Sequence, residues 1–494
     1  MRKSISCWMA SLLLLLGSLY GLTACSDKEN TPEIPSPIID PVIDPDTDEE
    51  TAYATQFAKD VLGTFYVWNE EIAGSLPRLN PDTCTHPIAV VADIRYKNSA
   101  TGIEDKWTSL TNDLGAMQES TQGVDTTYGM LYKIGKYSNT DGYFMIVAAV
   151  YADSPAAQAG LKRGDVIITF DGKAITDSNY NDINTSAAIQ LGMGEIDGNT
   201  IKSSGKTVSL TAIKMYQDPV FCHRTFDVGG KKVGYLCYGQ FDLKSTAKLI
   251  DICQGFKAEG VKELILDLRY NGGGYVVTEL ALASMLAPAD VVAREALFEK
   301  EAYNSLLTKQ GVRSETKFQT SWNYTAEKNG IDFVYDTSQA NIGLQKVYGL
   351  ISSNTASASE ALLSGLMPYM EVELIGNNSH GKYCTGQMLA PENVSIIKDW
   401  GIYVMLSIYQ NAEGKTPCMP NGLTPDKEAA EGLLLKEWGD ENDPLLRAAL
   451  ESAGKVYDVQ PAASGRATVA ATLVSDIRHN ATFGKRIGLP SDGK

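Results

Sequence analysis

The chain has 494 residues, with 43 Lys and Arg against 60 Asp and Glu, and a formal net charge of −17. Loss of Arg2 and Lys3 with a leader would take that to −19. So acidic a balance argues against nucleic acid as a partner, because phosphate binding needs clustered Lys and Arg; it says nothing about fold. Apolar residues make up 44%, as in a globular protein, and about 445 residues beyond the first fifty are enough for two or three domains.

Residues 1–24 read as an export leader. Arg2 and Lys3 are followed by an apolar run from Trp8 to Tyr20 that is short of the ~20 residues of a comfortable membrane span. Leu22-Thr23-Ala24-Cys25 then resembles a bacterial lipobox, which makes Cys25 the acylated first residue and the lipid anchor to a membrane. The plainer alternative is an ordinary signal peptide with an incidental cysteine. Residues 25–50 carry Pro32, Pro35, Pro37, Pro41 and Pro45 among Asp and Glu, the composition of an extended, solvated tether. Ser26-Asp27-Lys28-Glu29 suits outer-membrane sorting, with the membrane face left open.

Six further cysteines (Cys84, Cys222, Cys237, Cys253, Cys384, Cys418) form no CxxC pair and have no His at zinc-ligand spacing. The sequence therefore calls for no metal and no cofactor. Export would permit disulfides, but the spacings suit buried thiols equally well.

Residues 51–120 read as a helical domain, with Tyr53, Phe57, Val61, Phe65 and Trp68 making one apolar stripe. Residues 121–216 change character. Tyr143–Ala148 is strand-like, Ser154 caps a short helix with Pro155 at its first position, and a glycine turn leads into Ile168–Phe170. The string SPAAQAGLKRGDVIITFDGKAI closely resembles a PDZ domain of the bacterial type. That likeness implies peptide binding by strand addition, with carboxylate capture by a Gly-Φ-Gly-Φ loop. The matching stretch is Gly129-Met130-Leu131-Tyr132, where leucine stands in place of the second glycine.

Residues 217–454 follow an α/β pattern. Strand signals at Lys232–Tyr238, Glu263–Leu268, Val347–Ile351, Val372–Ile375 and Tyr403–Ile408 alternate with helices at Ser245–Ala258 and up to about Leu286. Residues 290–342 show no clear periodicity and read as an insertion near the site. The tail, 455–494, is rich in Ala and Ser and gives no structural signal.

The chemistry rests on a serine, a lysine and a glycine run. Ser357 stands at a strand-to-helix turn, where exposed amides and the positive end of the helix dipole suit an oxyanion; a bare helix cap is the plainer reading. Lys382 lies 25 residues on, in a loop at a sheet edge. An amine acts as a base only when neutral, so it needs an apolar pocket; a solvated loop lysine is the plainer reading. Asn271-Gly272-Gly273-Gly274 follows a buried strand and lets backbone approach a ligand closely.

Together these elements resemble the carboxyl-terminal processing (tail-specific) serine proteases. The likeness rests on Asp267-Leu268-Arg269 with its glycine run, Thr355-Ala356-Ser357-Ala358-Ser359-Glu360, Gly381-Lys382, and Gly422-Leu423-Thr424-Pro425-Asp426. The resemblance implies a multidomain α/β chain: a helical cap, a PDZ-like domain, and a protease core of the crotonase-like ββα type. It implies Ser357 as nucleophile, Lys382 as general base, Glu360 as a supporting carboxylate, and the amides of Gly273 and Ala358 as the oxyanion hole, with Gly272 or Gly274 if the register shifts. Gln387 stands one residue beyond the family's usual glutamine, and Tyr383 replaces a small residue. Protein or peptide substrates cut near their C-termini are the implied partners. Two rivals remain: a catalytically silent peptide-binding lipoprotein, and a Ser–His hydrolase using His380.

Overall fold

The computed structural model describes residues 48–138, 140–198, 200–326, 331–457, 471–475 and 485–488. The leader, Cys25 and the tether up to residue 47 lie outside them. Among the described residues no helix is long and apolar enough to cross a membrane. All six cysteines beyond Cys25 are free thiols.

The PDZ-like domain lies in a seven-stranded sheet whose path runs Thr200–Thr211, Ala188–Asp197, Val166–Phe170, Tyr143–Val150, Met130–Tyr137 and Ala471–Ser475, with Lys173–Ala174 pairing to Val166–Phe170. Alternation along these strands sends Met130, Tyr132, Ile134, Met145, Val147, Ile167 and Leu191 into one buried cluster. Ser154 caps the short helix Pro155–Gln158 by accepting from Ala157 N at 3.1 Å. Gly129 has φ +78°, and a side chain there would collide with Ser154 Cβ. Leu131, at the position of the second glycine, is buried against Ala148, Ala149, Tyr151 and Tyr270. It is absent from the left-handed residues of the chain, so an ordinary side chain is tolerated there.

Two sheets form the larger body. The first runs Val220–Val228, Lys231–Tyr238, Glu263–Asp267, Lys346–Ile351, Glu371–Gly376 and Lys427–Glu428. Its first pair is antiparallel and the remaining pairs are parallel. Strands such as Glu263–Asp267 are buried almost throughout, as a covered parallel sheet requires. The second sheet runs Gly274–Tyr275, Arg486–Ile487, Cys384–Leu389, Gly401–Asn411, Leu297–Tyr303 and Glu315–Lys317, with Ser109–Thr111 also pairing to Gly401–Asn411.

Three segments carry structure that the sequence pattern did not show. The N-terminal segment has helices Glu49–Phe65, Pro87–Ile94 and Leu114–Thr121, but it also contributes the strand Ser109–Thr111 to the second sheet. Phe57, Val61 and Phe65 share one core with Leu266, Leu362 and Val404; a one-sided apolar stripe finds too few partners within its own segment. Residues 290–342 are not featureless: Leu297–Tyr303 pairs antiparallel to Gly401–Asn411, and Ser321–Ala326 forms a hairpin with Ile331–Asp336. Within the tail, Ala471–Ser475 and Arg486–Ile487 are strands, each completed by a partner far away in sequence.

Candidate active site

Ser357 lies between the strand Lys346–Ile351 and the helix Ala358–Leu366, with φ +64° and ψ −117°. A non-glycine residue held in that region costs on the order of 1–3 kcal/mol and persists only where its surroundings impose it. The surroundings are on both sides. Thr355 Oγ1 donates to Leu268 O at 2.8 Å, Ala356 N to Asn271 O at 3.0 Å, and Ser359 Oγ to Asn271 O at 3.1 Å. Asn271 is fully buried and its Nδ2 donates to Tyr238 O at 3.0 Å. One residue thus ties the serine turn to the glycine loop.

Glu360, one turn into the helix, closes the arrangement. Its Oε2 accepts from Ser357 N and from Lys382 N, each at 2.8 Å; its Oε1 accepts from Gly381 N at 2.7 Å and from the Ser379 hydroxyl. Of the reciprocal cap that Ser and a Glu three residues later can form, only the Glu360 half is closed. The Ser357 hydroxyl has no hydrogen-bond partner. Burial pushes the Glu360 carboxyl up to about 7, with the four donors pulling it the other way.

Lys382 is fully buried, not a solvated loop residue. Its Nζ donates to Cys384 O at 2.7 Å, lies 3.4 Å from Met405 Sδ, and stands 4.9 Å from the centre of the Trp107 ring and 5.7 Å from that of Tyr403. Aromatic and thioether walls thus surround the amine beside Cys384 O, the dry setting that a neutral lysine base needs. Trp107 is held by Tyr383, whose hydroxyl accepts from Glu104 N at 2.9 Å and donates to Glu104 O at 3.0 Å. Tyr383 therefore anchors the N-terminal segment against the lysine loop.

Gly273 has φ +105°, and a Cβ there would lie 2.7 Å from Ser357 Cβ, so glycine alone permits this approach. Its N–H donates to Asn271 Oδ1 at 2.9 Å, within its own loop, instead of being held free for an oxyanion. Ala358 N is the first amide of its helix, a position without an intrahelical acceptor. Gln387 is fully buried, and both its side-chain oxygen and nitrogen lack hydrogen-bond partners, so it makes no bond to Lys382. The one-residue offset alternates the strand face that it occupies. His380 anchors its backbone N to Thr355 O at 2.9 Å and presents its ring edge to Trp107, with no bond to Ser357 Oγ.

The serine loop is tied to the PDZ-like domain by a buried ion network. Arg269, two residues before Asn271, contacts Asp267, Asp443 and Glu431 at 2.7–2.9 Å. Glu431 also takes Lys133 at 2.6 Å, and Arg163, both from the PDZ-like domain. Burial pushes the Glu431 carboxyl up, but the three cations outweigh it and hold it well below the usual carboxylate range. Ser379 and Glu431 were not singled out from sequence. Asn271 stood inside the glycine motif, but nothing in sequence linked Trp107 or Glu431 to Ser357.

Residues 232–429 match the family model described as "Peptidase family S41", and residues 146–194 the one described as "PDZ domain". The chloroplastic C-terminal processing peptidase of Tetradesmus obliquus is 26% identical over 330 residues, covering 63% of this chain and 62% of that protein. The carboxyl-terminal-processing protease of Picosynechococcus sp. is 22% identical over 337 residues, covering 66% of this chain and 71% of that one. A solved structure of a proposed S41 protease from Bacteroides fragilis superposes with a TM-score of 0.64 at 24% identity, over 80% of this chain and 96% of that chain. That likeness establishes the fold.

Proposed function

We infer, for a chain that belongs to peptidase family S41 and carries a PDZ domain, that it is a serine endopeptidase acting through Ser357 and Lys382 on protein segments near their C-termini. The observation that carries this reading is the Glu360 carboxylate, which takes the amides of both Ser357 and Lys382 and so holds nucleophile and base in one frame. In the reaction, Lys382 Nζ turns from Cys384 O to Ser357 Oγ and takes its proton as the hydroxyl attacks a peptide carbonyl. The Ala358 amide receives the developing oxyanion, joined by Gly273 N once it exchanges Asn271 Oδ1 for substrate. Lys382 then protonates the leaving amine, and water releases the acyl-enzyme. The lipobox supports anchoring through Cys25 in a bacterial envelope, probed by lipid labelling lost in Cys25→Ala.

The deciding experiment measures hydrolysis of a labelled unfolded protein by the full chain and by Ser357→Ala, Lys382→Ala and His380→Ala. The first two variants should lose at least roughly a thousandfold in rate, and His380→Ala should retain turnover. Hydrolysis that survives Ser357→Ala overturns the assignment. Absence of Ser357-dependent hydrolysis from every form of the chain, with peptide binding intact, establishes the silent binding lipoprotein instead.

A further inference from the structure

The slot between the two chemical elements is filled by the protein itself. Within residues 485–488, Arg486–Ile487 forms a parallel strand between Gly274–Tyr275, next to Gly273, and Cys384–Leu389, next to Lys382. Arg486 stands opposite Gly274, Ile487 opposite both Tyr275 and Gly386, and Gly488 N donates to Gly386 O at 3.1 Å. Lys485 O lies 2.9 Å from where a Cβ on Gly273 would sit, a point that is itself 2.7 Å from Ser357 Cβ. The tail carbonyl therefore borders the nucleophile. Lys485 is buried, with its amine 5.3 Å from the centre of the Tyr403 ring, which Lys382 also faces. Ile487 joins the main hydrophobic core.

A second contact is independent of the first. Residues Ala471–Ser475 add an antiparallel strand to the edge strand Met130–Tyr137, with Ala471 opposite Tyr137 and Ser475 opposite Ile134. The tail thus runs towards the Gly129 end of that strand. An extended peptide adding to an open sheet edge in this way uses main-chain hydrogen bonds for affinity, the general mode by which such domains take ligands. The same chain first occupies the peptide edge of the PDZ domain and then the slot beside Ser357.

We propose that residues 471–475 and 485–488 are a built-in substrate-like ligand, which closes the active site in cis until a competing extended C-terminal segment displaces it. This rests on the peptidase reading above. It accounts for the complete burial of both Ser357 and Lys382. It also defines the substrate class: unstructured segments able to pair as a strand at both places at once.

The test uses the full chain with Leu473→Pro and Gly488→Pro together: the first places a proline inside the strand Ala471–Ser475, and the second removes the N–H that Gly488 donates to Gly386 O. In the Ser357→Ala background, hydrogen exchange should quicken at residues 384–389 and 130–137. A synthetic peptide of residues 471–488, added in trans, should restore the protection. In the Ser357 form, hydrolysis of the labelled unfolded protein should rise at least fivefold, and the peptide should suppress it. Because the proline variant could misfold, the same peptide is also titrated against wild type, where it should add no protection while the tail is docked. Unchanged exchange and an unchanged Ser357-dependent rate overturn tail occupancy and leave the peptidase reading standing. Altered exchange reversed by the peptide, with no hydrolysis from any form, supports occupancy and removes the peptidase reading.

Discussion

Ser357 and Lys382, 25 residues apart, each aim a backbone amide at the same oxygen, Glu360 Oε2, at 2.8 Å. A buried carboxylate with this many donors is both a geometric clamp and a titratable group. Its carboxyl sits at about 7 because burial disfavours the charged form. A carboxyl raised in the fold contributes stability that is fully present below its unfolded value of 4.5 and is lost as pH rises through about 7. Against Glu360→Gln, which does not titrate, wild type should therefore lose relative stability between pH 5 and pH 8, by up to about 3 kcal/mol. Urea unfolding at the two pH values checks this; a difference that grows towards pH 8 refutes it.

Asn271 should matter to both stability and turnover. Asn271→Ala removes the acceptor of Gly273 N and the donor to Tyr238 O, leaving buried groups unpaired. A loss of about 2–4 kcal/mol is expected in chemical denaturation, from the cost of such groups. Turnover should fall in kcat more than in KM, since the loop that approaches Ser357 is released while the peptide edge is untouched.

Trp107 reaches the site from another part of the chain. Trp107→Ala opens one wall around the Lys382 amine and admits water. The expected result is a drop in kcat of roughly tenfold or more, with the acidic limb of the rate profile moving to higher pH as the charged, non-basic amine is better solvated. Trp107→Phe should recover most of the loss, and identical profiles in both variants would rule out this role.

Glu431 bridges Lys133 and Arg163 of the PDZ domain to Arg269 of the core. Removing one member of a buried ion cluster strands the others, so Glu431→Ala should cost about 3–5 kcal/mol. Calorimetry should show the single transition broadening or splitting as the PDZ domain uncouples. Arg78→Ala, at a surface pair with Asp93, should change stability by under about 1 kcal/mol.

Much of this was legible before any fold was known. The stripe Phe57-Val61-Phe65, the buried strand Glu263–Asp267 and the helix Ser245–Ala258 follow from local period and composition, and the helix ends fall where they were read. The glycine run and the Ser357 turn could be read because each is a short contiguous string. Gln387, one residue beyond the family's usual glutamine, is buried in the strand Cys384–Leu389 with its side-chain amide unpaired, a setting that spacing alone does not reveal.

The sequence by itself determined the local vocabulary: which segments bury one face, where the chain turns, and which residues can serve as nucleophile, base and close-approach glycine. The tertiary structure alone decided that Lys382 is dry, that Trp107 covers it, that Glu431 joins two domains, and that the tail lies beside Ser357. The reason is that these contacts join residues tens to hundreds of positions apart. Long-range pairing leaves no period in the sequence, and a strand such as Arg486–Ile487 gains its hydrogen bonds only once its two neighbours are in place.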